Sequence, residues 1–304
     1  MYFIVYGLLY LLSLLPLRVL YIISDAVYAL LYYIIGYRRM VVKNNLLIAF
    51  PEKTTAERRS IEKQFYKNFT DNFIETLKLL SGGSKFALKH FSADASIMQQ
   101  QFDKGKRVQF HMGHHFNWEM GNIAMSSLTS FPMLMVYLPV QSKTFEKLML
   151  KIRSSSGNHL MPATHLRQAM MPFRNTQYLL ALIADQVPGD VSKAYWLNFF
   201  GKPTPFIRGP ERGAVAGNLP VMFGEIFKIK RGHYILNYEL CTEDPASLPK
   251  GELTRRYVRY LENAIREHPS MWLWSHRRWK REWKREYESL WIGEDSMPDQ
   301  QTSN

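Results

Sequence analysis

The residues best placed to do chemistry are His114 and Glu119, in the run His114-His115-Phe116-Asn117-Trp118-Glu119. A histidine followed by four residues and a carboxylate suits a general base and the group that orients it, because imidazole takes up a proton near neutral pH and a carboxylate fixes its tautomer. On one continuous helix, positions five apart lie ~140° apart around the axis and do not face each other. A turn must therefore intervene. Gly113 is expected to supply it and Asn117 to cap a helix just beyond, which puts His114 in a strand-to-helix loop and Glu119 in the first helical turn. His111, His114, His115 and Glu119 are also a dense set of ligand types, but no HExxH spacing is present and no metal is expected among them.

The elements that must hold this loop read as an α/β pattern. Candidate strands are Val108 to His111, Met133 to Leu138, Tyr178 to Ala184, Pro220 to Phe227 and Tyr234 to Leu240. Lys143 to Arg153 and Leu253 to Glu267 read as helices. Strands separated by helices predict a largely parallel sheet, with the last two strands as a hairpin, and functional groups in such sheets lie at the strands' carboxyl ends. His114 follows the first strand and Asp185 the third. Upstream, Val41 to Phe50 looks helical and stops at Pro51, and Thr54-Thr55-Ala56-Glu57 reads as a capping box opening a helix to about Leu80, which Ser81-Gly82-Gly83-Ser84 ends. No internal repeat or low-complexity linker divides the rest of the chain.

Residues 1–37 are expected to be a hydrophobic membrane anchor, 38–294 a catalytic domain and 295–304 a flexible tail. Tyr2 to Ser24 with a single Arg is a borderline spanning helix that Pro16 can bend; two short embedded helices, or a buried hairpin of a soluble protein, fit the same residues. Neither a basic start nor a small-residue cleavage site marks a signal peptide. Arg38, Arg39, Lys43 and Lys53 follow the apolar stretch, so the positive-inside bias places the remainder in the cytoplasm. The net charge of +13 asks for an anionic partner. Scattered basic residues and the absence of a recognition motif argue against nucleic acid. A single cysteine, Cys241, excludes an intrachain disulfide framework. Arg266 to Arg285 interleaves four tryptophans with Lys and Arg, which fits either a helix packing its indoles on the core or a surface for anionic headgroups.

The block Gly113 to Glu119, GHHFNWE, resembles the GHxGNWE-type motif of the bacterial lipid A biosynthesis (lauroyl/myristoyl) acyltransferase family. The resemblance extends, in the family's order, through Arg38 to Ile61, KIRSSSG at Lys151 to Gly157, LIADQVPG at Leu182 to Gly189, Asn198 to Met222 and LWSHRRWKR at Leu273 to Arg281. It implies a lysophospholipid-acyltransferase-like mixed sheet flanked by helices behind a membrane anchor, in the inner membrane with the catalytic part on the cytoplasmic side. It implies acyl transfer from acyl carrier protein to a hydroxyl of a lipid A precursor, with no cofactor beyond the acyl donor. Carried over by motif, His114 is the base and Glu119 its partner, Asp185 matches the family's Asp-Gln aspartate, and Arg153 matches by position. Phe116 departs from the motif's glycine, which is expected to alter the loop and narrow the site. An acceptor among other membrane lipids, or a non-catalytic protein binding anionic membranes, are the competing readings.

Overall fold

The computed structural model describes residues 2–297, so of the tail expected to be flexible only 295–297 fall within it. Two apolar helices open the chain, α1 (Tyr2–Leu14) and α2 (Leu17–Ala29), with Pro16 between them, where a missing N–H and a fixed φ cost a new helix nothing. The second continues as a wider π-helical segment (Leu30–Ile35) and stops at Gly36 in the left-handed region. Together Leu17–Ile35 is apolar and long enough to cross a membrane. One side of it, however, is committed to the protein: Leu20, Ser24, Tyr28 and Tyr32 are buried, and the Ser24 hydroxyl donates to Asp71 at 2.8 Å. Arg231 ties the same region down by pairing with both Asp25 and Asp71. Ile4, Leu8, Leu11, Ile22, Leu30 and Ile34 point the other way and are exposed.

After α3 (Arg39–Ala49) comes α4 (Thr55–His90), opened by the expected capping box: the Thr54 hydroxyl accepts from the Glu57 N–H and the Glu57 carboxylate from the Thr54 N–H. The helix does not end at Ser81. It breaks at Gly83, whose φ of 50° only glycine adopts cheaply, and resumes to His90.

Then come β1 (Phe91–Ala93), α5 (Ser96–Asp103), β2 (Val108–Met112), α6 (Trp118–Leu128), β3 (Met133–Tyr137), α7 (Lys143–Arg153), β4 (His159–Pro162), α8 (Leu166–Ala169) and β5 (Leu179–Ile183). The chain continues through β6 (Ala194–Phe199), β7 (Lys202–Ile207), α9 (Gly209–Gly217), β8 (Val221–Lys230), β9 (His233–Thr242) and α10 (Glu252–Glu267). Seven strands form one sheet in the order β1-β9-β8-β2-β5-β3-β4, parallel at every pairing except the β8–β9 hairpin. This is the mixed α/β architecture expected, with helices flanking a parallel-dominated sheet.

β6 and β7 form a separate hairpin through Phe200 and Gly201, at φ 52° and 69°. Positive φ at both loop positions is the conformation whose twist matches paired strands. Beyond α10 the chain does not form the amphipathic helix considered for Arg266 to Arg285. Pro269 denies it, and an irregular segment buries Trp272, Trp274, Trp279 and Arg278. Three of its four indoles are therefore core, and the headgroup reading of this stretch does not hold for them.

Candidate functional site

Parallel neighbours end on the same side of a sheet, and that places the site. Met112 of β2 lies opposite Ile183 of β5, and the Ala184 N–H donates to the Met112 carbonyl at 3.1 Å. The residues just beyond each strand, His114 and Asp185, therefore rise side by side. The Asp185 carboxylate accepts from His114 twice, from ring Nδ1 at Oδ1 and from the backbone N–H at Oδ2 (2.8 Å). The Trp272 indole N–H adds a third bond to Oδ2 at 2.6 Å. Burial alone would raise this carboxyl's pKa; the charge of His114 and these hydrogen bonds outweigh it and hold the group well below the usual carboxylate range. Gly113 is required here for room: a Cβ would stand 2.5 Å from Leu261 and 3.3 Å from Asp185 Oδ2. The Gln186 amide approaches His114 Nε2 at 3.0 Å, from the side opposite Asp185. Nε2, held at rest only by this amide, is the ring atom a substrate hydroxyl can reach when the amide yields it.

Glu119 does lie in the first turn of α6, but no hydrogen bond joins it to His114. Arg153, in the last turn of α7, donates through Nε to both Glu119 oxygens at 3.0 Å and through Nη2 to Oε1. The Trp118 indole N–H also donates to Oε1, at 2.9 Å, while the same ring meets His114 edge-on with centroids 5.6 Å apart. The expected His114–Glu119 pairing is replaced by two linked pairs, His114–Asp185 and Glu119–Arg153, with Trp118 between them. A carboxylate delivered by the helix faces α7, whereas the neighbouring strand puts Asp185 directly against the imidazole.

Asn117 stands at the start of α6 but does not cap it with its side chain. It adopts φ 65°, so the left-handed residue of this turn is Asn117, while Gly113 keeps a negative φ. Its Nδ2 donates to Glu75 Oε2 at 2.7 Å, and its backbone N–H to Asn72 Oδ1 at 2.8 Å. Glu75, deep in α4, also accepts from the hydroxyls of Tyr234 (2.8 Å) and Tyr21 (2.6 Å), and burial pushes its pKa up to about 7. One buried carboxyl thus connects the apolar helix α2 to the loop carrying His114. Phe116 does not narrow the site: it turns into the core against Phe65 and Phe69, while its N–H bonds the Met271 carbonyl. His111 and His115 are fully buried, and burial lowers their pKa values to about 3 and about 4, so both rings are neutral. His111 contacts Gln109, His114 pairs with Asp185 and Glu119 with Arg153, while neither ring nitrogen of His115 has a hydrogen-bond partner among the described residues.

An apolar cleft, lined by Phe91, Phe110, Met125, Met133, Leu179 and Ile226 among others, opens beside Trp118. Because β2, β5 and β3 all run towards the site, their register orders the lining by distance from it: Met112 and Ile183 nearest, then Phe110, Ala181 and Met135, then Leu179 and Met133. Such a space suits an extended hydrocarbon chain.

The family model for bacterial lipid A biosynthesis acyltransferases matches residues 1–281. The chain belongs to that family. It is therefore an acyltransferase of lipid A synthesis, associated with the membrane. No curated protein matches it significantly. Sequence reading missed four supports of this acyltransferase's site: Gln186, Trp272, Asn72 and Glu75. Gln186 was visible as the neighbour of Asp185 in LIADQVPG, and Trp272 as one tryptophan among several. Asn72 and Glu75 gave no sign, since nothing in a helical register says which polar residue meets a loop some 40 residues away.

Proposed function

We propose that the enzyme moves a fatty acyl chain from an acyl carrier protein thioester to a hydroxyl of a lipid A precursor, with His114 as general base and Asp185, in place of Glu119, as its partner. The observation carrying this reading is the His114–Asp185 pair set against Trp118, whose ring also lines an apolar cavity. Asp185 keeps the proton of the neutral ring on Nδ1, so the Nε2 lone pair is the one that takes the acceptor's proton once the Gln186 amide, which contacts it at 3.0 Å, gives way. As the acceptor oxygen bonds to the thioester carbonyl carbon, its proton passes to Nε2 and Asp185 stabilises the imidazolium. Collapse of the tetrahedral adduct breaks the C–S bond, and the departing sulfur takes the proton back. Base catalysis of this kind contributes roughly 10²–10⁴-fold.

The oxyanion needs donors. The N–H groups of His114, Phe116 and Asn117 are already engaged with Asp185, Met271 and Asn72. This directs attention to the first-turn N–H groups of α6, which have no intrahelical acceptor and lie at the positive end of the helix. No metal or cofactor enters the scheme. The outward apolar sides of α1 and α2 would rest in the cytoplasmic face of the inner membrane. The docked side of α2 supports an anchor lying along the surface over one crossing the bilayer. Basic residues beside it, Lys147 and Lys151 against the α1 tyrosines among them, suit anionic lipid headgroups, and the positive balance suits an acidic carrier protein.

Mass spectrometry of lipid A from cells with and without the gene tests the assignment. Lipid A lacking the gene should be one acyl group short, with wild type restoring it and His114→Ala failing to. An unchanged lipid A alongside a changed phospholipid or amino-acid lipid would move the acceptor to that class. The cavity gives a second expectation. Ala181→Phe narrows it, so the transferred chain should shift to shorter homologues in the same spectra, at a stability cost of about 1–3 kcal/mol for overpacking. Unaltered chain length would place the acyl group elsewhere.

A further inference from the structure

We propose that Glu225, Glu267 and His268 bind a divalent transition-metal cation of the Zn²⁺ or Mn²⁺ class, at a site separate from His114. Glu225 projects from β8 and is 4 % exposed. Among the described residues its Oε2 is buried without a hydrogen-bond partner, and its Oε1 has only the Asn237 amide at 3.5 Å, the outer limit of a hydrogen bond. A buried carboxylate left this bare is costly unless something neutralises it. The nearest candidates make matters worse or better according to what joins them. Glu267 ends α10 with a second negative charge, and His268 follows it directly.

One carboxylate oxygen from each glutamate and one ring nitrogen of His268 lie within 4.8 Å of one another. The imidazole is stacked on Phe227 at 4.4 Å and 10°, which fixes the orientation of a ring nitrogen able to give a lone pair. Metal bonds of about 2.0–2.2 Å need the three ligand atoms to close by roughly an ångström, and Glu267, exposed at the helix end, is free to swing inward. Two carboxylates and an imidazole, without a thiolate, match zinc or manganese better than copper(I), and three protein ligands leave a position for water. A cation there would fasten β8 to the end of α10. The residues next in the chain, Met271 and Leu273, hold the backbone of Phe116 and His114 at 2.9 and 3.1 Å, so the ion would brace the catalytic loop from behind.

Titration calorimetry of the chelator-stripped, full-length enzyme with Zn²⁺, and then Mn²⁺, tests this. His114→Ala serves as the control for metal at the catalytic imidazole. One Zn²⁺ per chain should bind to wild type and to His114→Ala alike and raise Tm in both. Glu267→Gln, an exposed and structurally mild change, should weaken binding at least ~10-fold, and Glu225→Gln should abolish both binding and the Tm shift. The proposal is overturned if wild type shows no saturable binding, if the two glutamine variants bind as wild type does, or if binding disappears with His114→Ala.

Discussion

Asp185→Asn should lower the rate of acyl transfer by about 10³–10⁴-fold while the enzyme remains folded. The size of the effect follows from where the donors point. Two N–H groups, from the His114 backbone and the Trp272 indole, converge on Oδ2 of Asp185. An asparagine must keep its single carbonyl oxygen there, because an amide NH₂ would face two donors. Its NH₂ then takes the Oδ1 position and donates to His114 Nδ1. The ring proton is forced onto Nε2, the atom that must accept from the substrate, and the base is present in the wrong tautomer. No packing is lost, so a melting curve near that of wild type should accompany the loss of kcat. Activity within about tenfold of wild type would remove Asp185 from the mechanism, since a base-orienting group is worth far more than that.

The contrast between Asp185 and Glu119 marks how far the sequence could be read. Strands β2, β3 and β5 were legible because each is an apolar run, as buried parallel strands are written, and β8 and β9 because a short turn joins two strand-like runs as a hairpin. β4 is four residues with a histidine at its start, and β7 carries Pro203 and Pro205, which ordinarily argue against a strand. Those prolines are tolerated because β6–β7 is a two-stranded hairpin, where a missing donor can face away from the partner. His114, the proposed base, was legible from residue type and position at a strand end. Its partner was not, for spacing along a chain ranks near neighbours first. Asp185 is 71 residues from His114 and is brought there by sheet register alone. The tryptophan-rich tail left two readings open for a related reason: alternating Trp and Arg fit a core-packed or an interfacial segment, and only the fold shows Trp272 buried and donating to Asp185.

If Glu119 is held for Arg153 instead of for His114, breaking that pair should cost stability first. Arg153→Ala leaves a carboxylate that is 2 % exposed without its counter-charge, and uncompensated buried charges of this kind cost about 3–5 kcal/mol. Replacing both partners by apolar residues of similar volume, Glu119→Leu with Arg153→Met, should recover most of that loss, because the desolvation cost of both charges disappears together. Denaturant melts of the single and double variants read this directly. The functional consequence should differ in kind from that of Asp185→Asn. Glu119 also accepts from the Trp118 indole, which lines the cavity, so the double variant should loosen the ring that guides the acyl chain. Its deficit should then appear largely in KM for the acyl donor, with the imidazole tautomer untouched and kcat within about tenfold of wild type. Were Glu119 instead the residue that orients His114, Glu119→Gln would depress kcat as severely as Asp185→Asn, and the stabilised double variant would be inactive. The two carboxylates thus separate by experiment into one that sets a proton and one that holds a wall of the site in place.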